Sequence, residues 1–418
     1  MKRAGPVLLL ATILFVSAFF SRQESAQSLL FSLSYLLFSL LFISLIWTWI
    51  NIRSLRLERI SRSRRTQVGR AIEERFSLSN LGVLPALWVE IIDQSDLPEH
   101  RASHVVTWLR YKRRYDWRVN TVCLRRGRYI LGPISLTTGD PFGFFQMKKD
   151  IQDTRQLIVY PRTYSISRFP LPMGMLQGGD ALRRRTHQIT ANASGVREYA
   201  PGDSFSRIHW RSTARRDQLI VKEFELDPLA DIWIMPDLFQ GVQATYIAPE
   251  EIIQAQPTVL WTPLSKYQLD PSTEEYTIAI SASLAQHFLR LDRAVGMLLY
   301  ADERQVIQTD RGERQLSKIL ETLAVIRASG ALPVHNMIQA EIDQIPRGST
   351  IIVVTPSTHH ELAVATRMLM RRGVRAAVIL VDPESFGADR SSRLLLGLLQ
   401  GSLTPTILVN DSDDLESS

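Results

Sequence analysis

Acidic, basic and imidazole side chains that could carry acid–base chemistry lie close together in one short stretch of this sequence. Arg197, Glu198, Asp203 and His209 fall within a few turns of chain. If Glu198 or Asp203 shared a cleft with the other polar groups, its pKa would be perturbed and it could donate or accept a proton. An enzyme with a polar site in this stretch is therefore one interpretation.

The same stretch is basic and contains a predicted turn. Residues 183–223 include nine arginines and lysines but only four acidic residues. Within Tyr199-Ala-Pro-Gly-Asp203, Pro201 presets φ and Gly202 supplies the positive φ that a type II turn needs. Asp203 and Glu198 can pair with Arg197, Arg207 or Arg211 in a polar lattice around this turn.

Three roles for these charges remain open. The favoured one is structural: buried ion pairs, with Trp210 and Phe224 as apolar anchors, would lock the connector onto the following domain. The second is a docking surface for an acidic protein. Phosphate or nucleic acid ranks last, because no aromatic stacking series or groove-reading helix accompanies the arginines. The residues expected to contact a partner are Arg197, Glu198, Tyr199, Pro201, Gly202, Asp203, Arg207, His209, Trp210, Arg211, Lys222 and Glu223.

Other catalytic signals are weak. Cys123 lies in a predicted strand without a sequence-adjacent base, which favours a buried structural thiol over a nucleophile. His359-His360 lacks a third metal ligand and is interpreted as a pair of surface histidines. There is no Gly-Lys-Ser/Thr loop for ATP, so we expect no cofactor, and any ATP would be hydrolysed by a partner.

Two stretches together resemble a known family. One is Arg125-Arg-Gly-Arg-Tyr-Ile-Leu-Gly-Pro133 with Thr138-Gly-Asp-Pro-Phe-Gly-Phe-Phe145; the other is Gly195-Val-Arg-Glu-Tyr-Ala-Pro-Gly-Asp203 with its continuation to Glu225. The chain resembles the bacterial and archaeal family of domain of unknown function 58, although that family often has Asp where this chain has His209. The first stretch supplies a secondary motif made of Gly127, Asp140, Pro141, Phe142 and Gly143.

The resemblance implies an architecture and a setting. Similar proteins have two membrane helices, a β-rich region and a C-terminal α/β domain like von Willebrand factor type A, and are commonly encoded beside a MoxR-type AAA ATPase and a transglutaminase-like membrane protein. Metal-binding type A domains carry Asp-x-Ser-x-Ser after the first strand. Here Phe239 and Gly241 replace both serines, so Asp237 is expected to cap a loop in a degenerate site without metal.

Two apolar runs begin the chain and predict a membrane hairpin. The second, 29–50, is long enough to span a bilayer; the first, 6–20, is interpreted as a retained helix or, alternatively, a cleaved signal with a weak site at Val16-Ser17-Ala18. Seven arginines follow between residues 53 and 70. By the positive-inside rule, the bulk of the chain should lie in the cytoplasm, as a multi-pass protein of the plasma membrane.

Composition and patterning define the remaining domains. Of 418 residues, 45% are hydrophobic and 22% charged, with a net charge of +7, which suits a folded chain attracted to anionic lipid, nucleic acid or an acidic protein. The single cysteine excludes an intramolecular disulfide. The predicted parts are a transmembrane hairpin (1–52), a basic juxtamembrane segment (53–65), a small antiparallel β-sandwich (66–165), the motif connector (166–228), a parallel α/β domain (229–405) and a polar tail (406–418).

The leading functional hypothesis is a membrane-tethered adaptor. It would dock a protein partner, such as the AAA ATPase, its client or the transglutaminase-like protein, through the α/β domain and the motif. The alternatives are an enzyme that uses the polar residues at 197–211 and a membrane-proximal binder of polyanions.

Overall fold

The computed structural model describes residues 4–61, 63–166, 193–198, 208–216, 218–224, 231–246 and 269–411. Two compact units are present. Unit 1 comprises residues 1–164, 246–283 and 317–327, and unit 2 comprises 165–245, 284–316 and 328–418.

Two apolar helices form the N-terminal part of unit 1. They are α1 (Ala4–Phe20) and α2 (Glu24–Ser54), and they pack against each other. Ala4, Ala11 and Ala18 recur every seven residues on the buried face of α1. Small residues at this spacing let two helix backbones approach closely, as in membrane helix pairs. Among the helices of the described residues, α2 alone is long and apolar enough by itself to cross a membrane; α1 is a shorter apolar helix.

The β-rich part of unit 1 begins without a linker, because α2 ends at Ser54 and the first strand starts at Leu55. The strands are β1 (Leu55–Ser61), β2 (Arg65–Gln67), β3 (Ala71–Asn80), β4 (Ala86–Asp93), β5 (His104–Leu109), β6 (Arg114–Val122), β7 (Gly127–Leu131), β8 (Ile134–Gly139), β9 (Gln146–Ile151) and β10 (Arg155–Tyr160).

Two antiparallel sheets enclose a common core. Their strand orders are β1-β3-β6 and β5-β4-β8-β9. Phe76 and Leu78 from the first sheet pack with Val89, Ile91 and Leu136 from the second. Alternating inward-facing apolar residues on both sheets produce this sandwich. A third sheet, β2-β10-β7, includes the parallel pair β2–β10 and covers Cys123, whose thiol is fully buried.

The structure differs from the sequence-based prediction at three places in this region. The described residues of the predicted basic juxtamembrane segment, 53–61 and 63–65, include the end of α2, the whole of β1 and the start of β2. The run 129–136, which its local pattern predicts as one strand, forms parts of two strands, β7 and β8, separated at the cis Gly132–Pro133 peptide. Strands β1, β2, β3 and β9 had no clear local pattern, because several of their positions carry charged side chains that face solvent.

Unit 2 contains a six-stranded mixed sheet. Its strands are β13 (Ile232–Pro236), β14 (Val295–Tyr300), β15 (Arg304–Asp310), β16 (Thr350–Thr355), β17 (Arg375–Val381) and β18 (Thr406–Val409), in the order β15-β14-β13-β16-β17-β18. The hairpin β11 (Ala193–Glu198) and β12 (Ile220–Phe224) precedes it. The helices beyond α2 are α3 (Trp210–Arg216), α4 (Thr273–Arg290), α5 (Gly312–Val325), α6 (Val334–Glu341), α7 (Glu361–Arg371) and α8 (Arg393–Gly401). The division between the units falls inside α4 and α5.

The central strands β13, β16 and β17 are buried along their length, which explains their continuous apolar sequences. Two corrections follow. The sheet is not wholly parallel, because edge strand β15 runs antiparallel to β14. The predicted polar tail begins too early: Thr406-Ile-Leu-Val409 is apolar enough to form β18, which extends the sheet beside β17. The strand order matches that of an open, doubly wound α/β sheet.

Candidate functional site

The motif segment is built on the β11–β12 hairpin of unit 2. Arg197 pairs with Val221 and Glu198 with Ile220 across the two antiparallel strands, while Val196 lies opposite Lys222. The strands therefore place both halves of the motif next to each other. The predicted turn residues Tyr199, Pro201, Gly202, Asp203 and Arg207 lie outside the described residues, as do the side chains of Arg197, Glu198, Lys222 and Glu223.

His209 begins helix α3 as its N-cap. Its Nδ1 lies 3.2 Å from the backbone nitrogen of Ser212 and accepts that N–H, and it lies 2.7 Å from the Ser212 hydroxyl. The same Ser212 N–H also donates to the His209 backbone carbonyl at 2.9 Å, so the imidazole shares this donor in the first turn, where Asp and Asn side chains are favoured acceptors. The family's Asp and this chain's His therefore suit the same structural task. With Nδ1 engaged, His209 is a helix cap rather than a proton-transfer group aimed at a cleft.

Helix α3 is fixed by isoleucines and exposes its tryptophan. Ile208 is buried and bridges Val221, and the His209 N–H donates to the Ile220 carbonyl at 2.8 Å. Trp210 is 67% exposed. The prediction that Trp210 anchors the connector is therefore wrong: buried aliphatic residues hold the helix, and the indole faces solvent.

The exposed face of α3 is basic as well as aromatic. Arg211 and Arg215 are both exposed, and within the segments that the structure describes neither forms an ion pair with a carboxylate. Leu219 is exposed just after the helix. Tryptophan and arginine on one surface are the residue types most enriched at the energetic centres of protein interfaces.

The secondary motif is a hairpin turn between β8 and β9. The buried Asp140 carboxylate accepts N–H groups from Phe142 at 2.9 Å and Phe145 at 2.6 Å. Gly143 has φ of 75°, which favours glycine. Pro141 and Phe142 are exposed at the tip. Asp140 is thus a turn-forming residue, while Gly127 starts β7 elsewhere in the β-rich region.

A buried arginine that the sequence interpretation did not single out lies in the first motif stretch. The Arg126 side chain is fully buried; it donates to Glu274 at 2.5 Å and to the Ile326 carbonyl at 3.1 Å, and lies 3.3 Å from Glu275. Burial lowers the pKa of Arg126, and burial raises the pKa of Glu275 despite the neighbouring guanidinium. This ion-pair cluster joins the strands of unit 1 to its helical segments. Its partners are 148 positions apart in sequence, so no local pattern reveals it.

A second buried charge cluster lies in the β-sandwich. Arg59 forms two hydrogen bonds to Glu74, at 2.9 and 2.7 Å, and lies 3.4 Å from Asp93. His100 Nε2 lies 3.0 Å from Asp93 and 3.2 Å from Glu74, and its Nδ1 lies 2.8 Å from the Thr121 hydroxyl. Burial opposes ionisation of all three groups. Hydrogen bonds to the two carboxylates nevertheless raise the pKa of His100, and the hydrogen bonds from His100, together with the nearby Arg59 guanidinium, lower the pKa of Glu74 and of Asp93.

This cluster has acid–base groups but no access for a substrate. The side chains of Arg59, Glu74, Asp93 and His100 are at most 2% exposed. Every charge therefore has a charged partner inside the protein, and the arrangement cross-links strands. Arg59 therefore faces the interior, although it belongs to the arginine-rich stretch that follows α2.

Asp237 lies where the strand order of the α/β sheet reverses, between β13 and β16. Its carboxylate accepts from the Thr355 hydroxyl at 2.6 Å and from the Phe239 N–H at 3.0 Å. Open α/β sheets bind ligands at such a switch point. Here full burial raises the pKa of Asp237 to about 6, although both hydrogen bonds lower it. Among the described residues no three His, Cys, Asp or Glu side chains are grouped so as to hold a metal ion. Asp237 acts as a loop cap.

Comparison with known proteins gives a match to a family model and a distant relative. Residues 195–250 match the family model described as protein of unknown function DUF58. The chain is 20% identical over 274 residues to the uncharacterized protein YeaD of Bacillus subtilis (strain 168), a match that covers 65% of this chain and 60% of the relative. The match thus spans less than two thirds of that relative's length.

Two solved structures are each similar to a quarter of the chain. A CARDB domain from Pyrococcus furiosus is 16% identical, with 86% of that domain covered and a TM-score of 0.20. The sporulation control protein Spo0M from Bacillus subtilis is 11% identical, with 49% covered and a TM-score of 0.17. Similarities this small carry no argument about activity.

Proposed function

We propose that the chain is a member of the family of domain of unknown function 58, and that it is a membrane-tethered accessory protein that docks an acidic protein partner through helix α3 and its hairpin. The observation that carries the proposal is the solvent-facing Trp210 beside Arg211 and Arg215, inside the segment that matches the family model. Burial of this indole in a partner would contribute favourably to binding, because transfer of a large aromatic side chain out of water is strongly favourable.

The partner class follows from charge and from the family resemblance. Exposed arginines attract a surface that carries carboxylates, and a buried indole in a pocket of the partner would contribute most of the affinity. Among the proteins that the resemblance implies, we propose the MoxR-type AAA ATPase as the partner. The C-terminal sheet, with its doubly wound strand order, supports a von Willebrand factor A-like domain as the scaffold of the hairpin.

The membrane tether in this proposal is helix α2, with α1 as a second span. The small-residue packing of α1 and α2 supports a hairpin that stays in the bilayer. The arginines that follow α2 support a cytoplasmic location for both units. An enzymatic function lacks comparable support, since His209 is a helix cap and the buried charge cluster of the β-sandwich is closed to substrate.

Photo-crosslinking tests the proposed docking in native membranes. A photoreactive amino acid replaces Trp210 in the full chain, and a matched site replaces Leu394, which is 86% exposed next to Arg393 on α8. We expect the photoreactive residue at position 210 to form an adduct with an AAA ATPase, and the one at position 394 to form none. Arg211→Glu/Arg215→Glu should abolish the adduct. Equal labelling at both positions, or no ATPase in the adduct at 210, would refute the proposal.

A further inference from the structure

Three loops of the β-sandwich lie at the end from which helix α2 emerges. β1 leaves the helix at Leu55, opposite Asn80 at the end of β3. The register of the remaining strands then places the start of β6, the start of β4, the end of β5 and the β8–β9 turn at this same end. Loops 81–85, 110–113 and 140–145 therefore form one rim around the helix, which we call the helix-side rim.

A buried asparagine fixes the rim to the helix. Asn80 Oδ1 accepts from the Ser54 hydroxyl at 3.2 Å and from the Gly82 N–H at 3.0 Å, and its Nδ2 donates to the carbonyls of Leu84 at 2.8 Å and Leu109 at 3.2 Å. Gly82 lies so near the helix that an added Cβ would come within 2.6 Å of Ser54. The loops are consequently held at a fixed position along the axis of α2.

The rim carries apolar and basic side chains that face solvent. Its exposed apolar residues are Leu81, Val83, Tyr111 and Phe142, with exposures between 48% and 76%. Its exposed basic residues are Arg110, Lys112 and Arg113. Asp140, the only acid in these loops, is buried and occupied by two backbone N–H groups. The rim thus combines protruding apolar tips with uncompensated positive charge.

The position of interfacial residues on α2 indicates where a bilayer surface would lie relative to the rim. Trp47 and Trp49 near its C-terminal end are residues that favour the headgroup interface, and the Arg53 guanidinium lies 4.0 Å above the Trp49 ring. At about 1.5 Å of rise per residue, Ser54 lies roughly 8 Å beyond Trp49. The rim, bonded to Ser54, is therefore at headgroup depth if α2 crosses the membrane.

We propose that the helix-side rim inserts into the headgroup layer of a bilayer rich in anionic lipid. Leu81, Val83 and Phe142 would reach the acyl boundary, and Arg110, Lys112 and Arg113 would bind lipid phosphates. The proposal rests on the membrane crossing of α2 stated under the proposed function. The β-sandwich is then held against the bilayer at three further points, which restricts its tilt about the single chain that connects it to α2.

Depth measurements on the full chain distinguish the outcomes. In a Cys123→Ala background, a nitroxide label is placed singly at Val83, Phe142, Leu36 or Arg101, and the protein is reconstituted into phosphatidylglycerol–phosphatidylcholine vesicles. Labels at Val83 and Phe142 should lie within about 5–10 Å of the phosphate plane. Oxygen, which concentrates in lipid, should therefore relax these labels more strongly than a nickel chelate that stays in the aqueous phase. The label at Arg101, an exposed residue in the loop at the opposite end of the sandwich, should show the reverse.

The label at Leu36, an exposed position midway along α2, separates this inference from the proposed function. If Leu36 is deep in lipid while Val83 and Phe142 are aqueous, the rim proposal fails and the membrane crossing stands. If Leu36 is aqueous, the membrane crossing itself fails. Arg110→Gln/Lys112→Gln/Arg113→Gln, or vesicles of phosphatidylcholine alone, should move the Phe142 label toward water; an unchanged depth would overturn the role assigned to anionic lipid.

Discussion

Replacing the buried Arg126 tests whether an ion-pair cluster, rather than apolar packing alone, holds the helical segments of unit 1 to its strands. Arg126→Met keeps much of the side-chain volume but leaves Glu274 and Glu275 without their main cation. Removing one member of a buried ion pair costs about 3–5 kcal/mol. Both glutamates keep some solvent contact, and Arg327 lies 3.6 Å from Glu274 and 3.4 Å from Glu275. We therefore expect a loss of about 2–4 kcal/mol.

Native-state hydrogen exchange of the detergent-solubilised full chain measures this loss locally. Since 1.36 kcal/mol is a tenfold change, protection of amides in residues 273–283 should fall by roughly 30-fold to 1,000-fold. Adding Glu275→Gln to Arg126→Met should recover about 1 kcal/mol, because it removes a carboxylate whose pKa burial already raises.

The matched control is the neighbouring arginine. The Arg125 side chain is 68% exposed, and its Nε lies 3.4 Å from the Asp270 carboxylate. Arg125→Met should therefore change the free energy of local opening by less than about 1 kcal/mol. If Arg126→Met were no more harmful than Arg125→Met, the cluster would not stabilise this part of unit 1. No recovery in the Glu275→Gln double variant would show that lost packing, not unpaired charge, dominates.

Three further predictions concern single polar residues. His209→Ala should destabilise α3 by about 1 kcal/mol whereas His209→Asp should be neutral, as read from exchange of the Ile220 amide; equal losses would contradict the capping role. Because burial raises the pKa of Asp237 from 3.8 to about 6, its stabilising contribution is complete below pH 3.8 and lost as pH rises through 6. Asp237→Asn should remove this pH dependence. Although the variant also loses one hydrogen bond, at about 1 kcal/mol, its free energy of unfolding at pH 7 should exceed that of the wild type by about 2 kcal/mol. Hydrogen exchange in β13 and β16 measures the difference. The pKa of His100 is raised in the folded protein, so its contribution to stability is complete below pH 6.5 and is lost as the pH rises through its pKa in the folded state. Hydrogen exchange in β3 should show this loss of stability in the wild type and not in His100→Gln.

Much of the fold follows from local pattern. Continuous apolar runs identified β13, β14, β16 and β17, because a strand buried on both faces needs apolar residues throughout. The uncharged length of residues 29–50 identified α2 for a similar reason. Strand β18 was taken for tail because four residues are too few to establish a period.

The family motif was recognisable from sequence alone, since the order of Arg197, Glu198, Pro201, Gly202 and Asp203 needs no tertiary information. What each residue does depended on the structure. A sequence does not distinguish an anchoring tryptophan from an exposed one, and only the buried Ile208 and Ile220 show that Trp210 is free to face solvent. Similarly, the N-cap role of His209 became evident only once α3 was seen to begin at the next residue.

The sequence by itself determined the long apolar helix α2, the mainly β then α/β order of elements and the resemblance to the family model, because each depends on residues close together in the chain. Tertiary structure alone decided which charges are paired. Arg59 and Arg126 look like any other arginines in basic runs, yet both are buried against carboxylates from distant strands or helices. The physical reason is that an ion pair depends on separation in space, and the register of the sheets brings those distant charges within about 3 Å of each other.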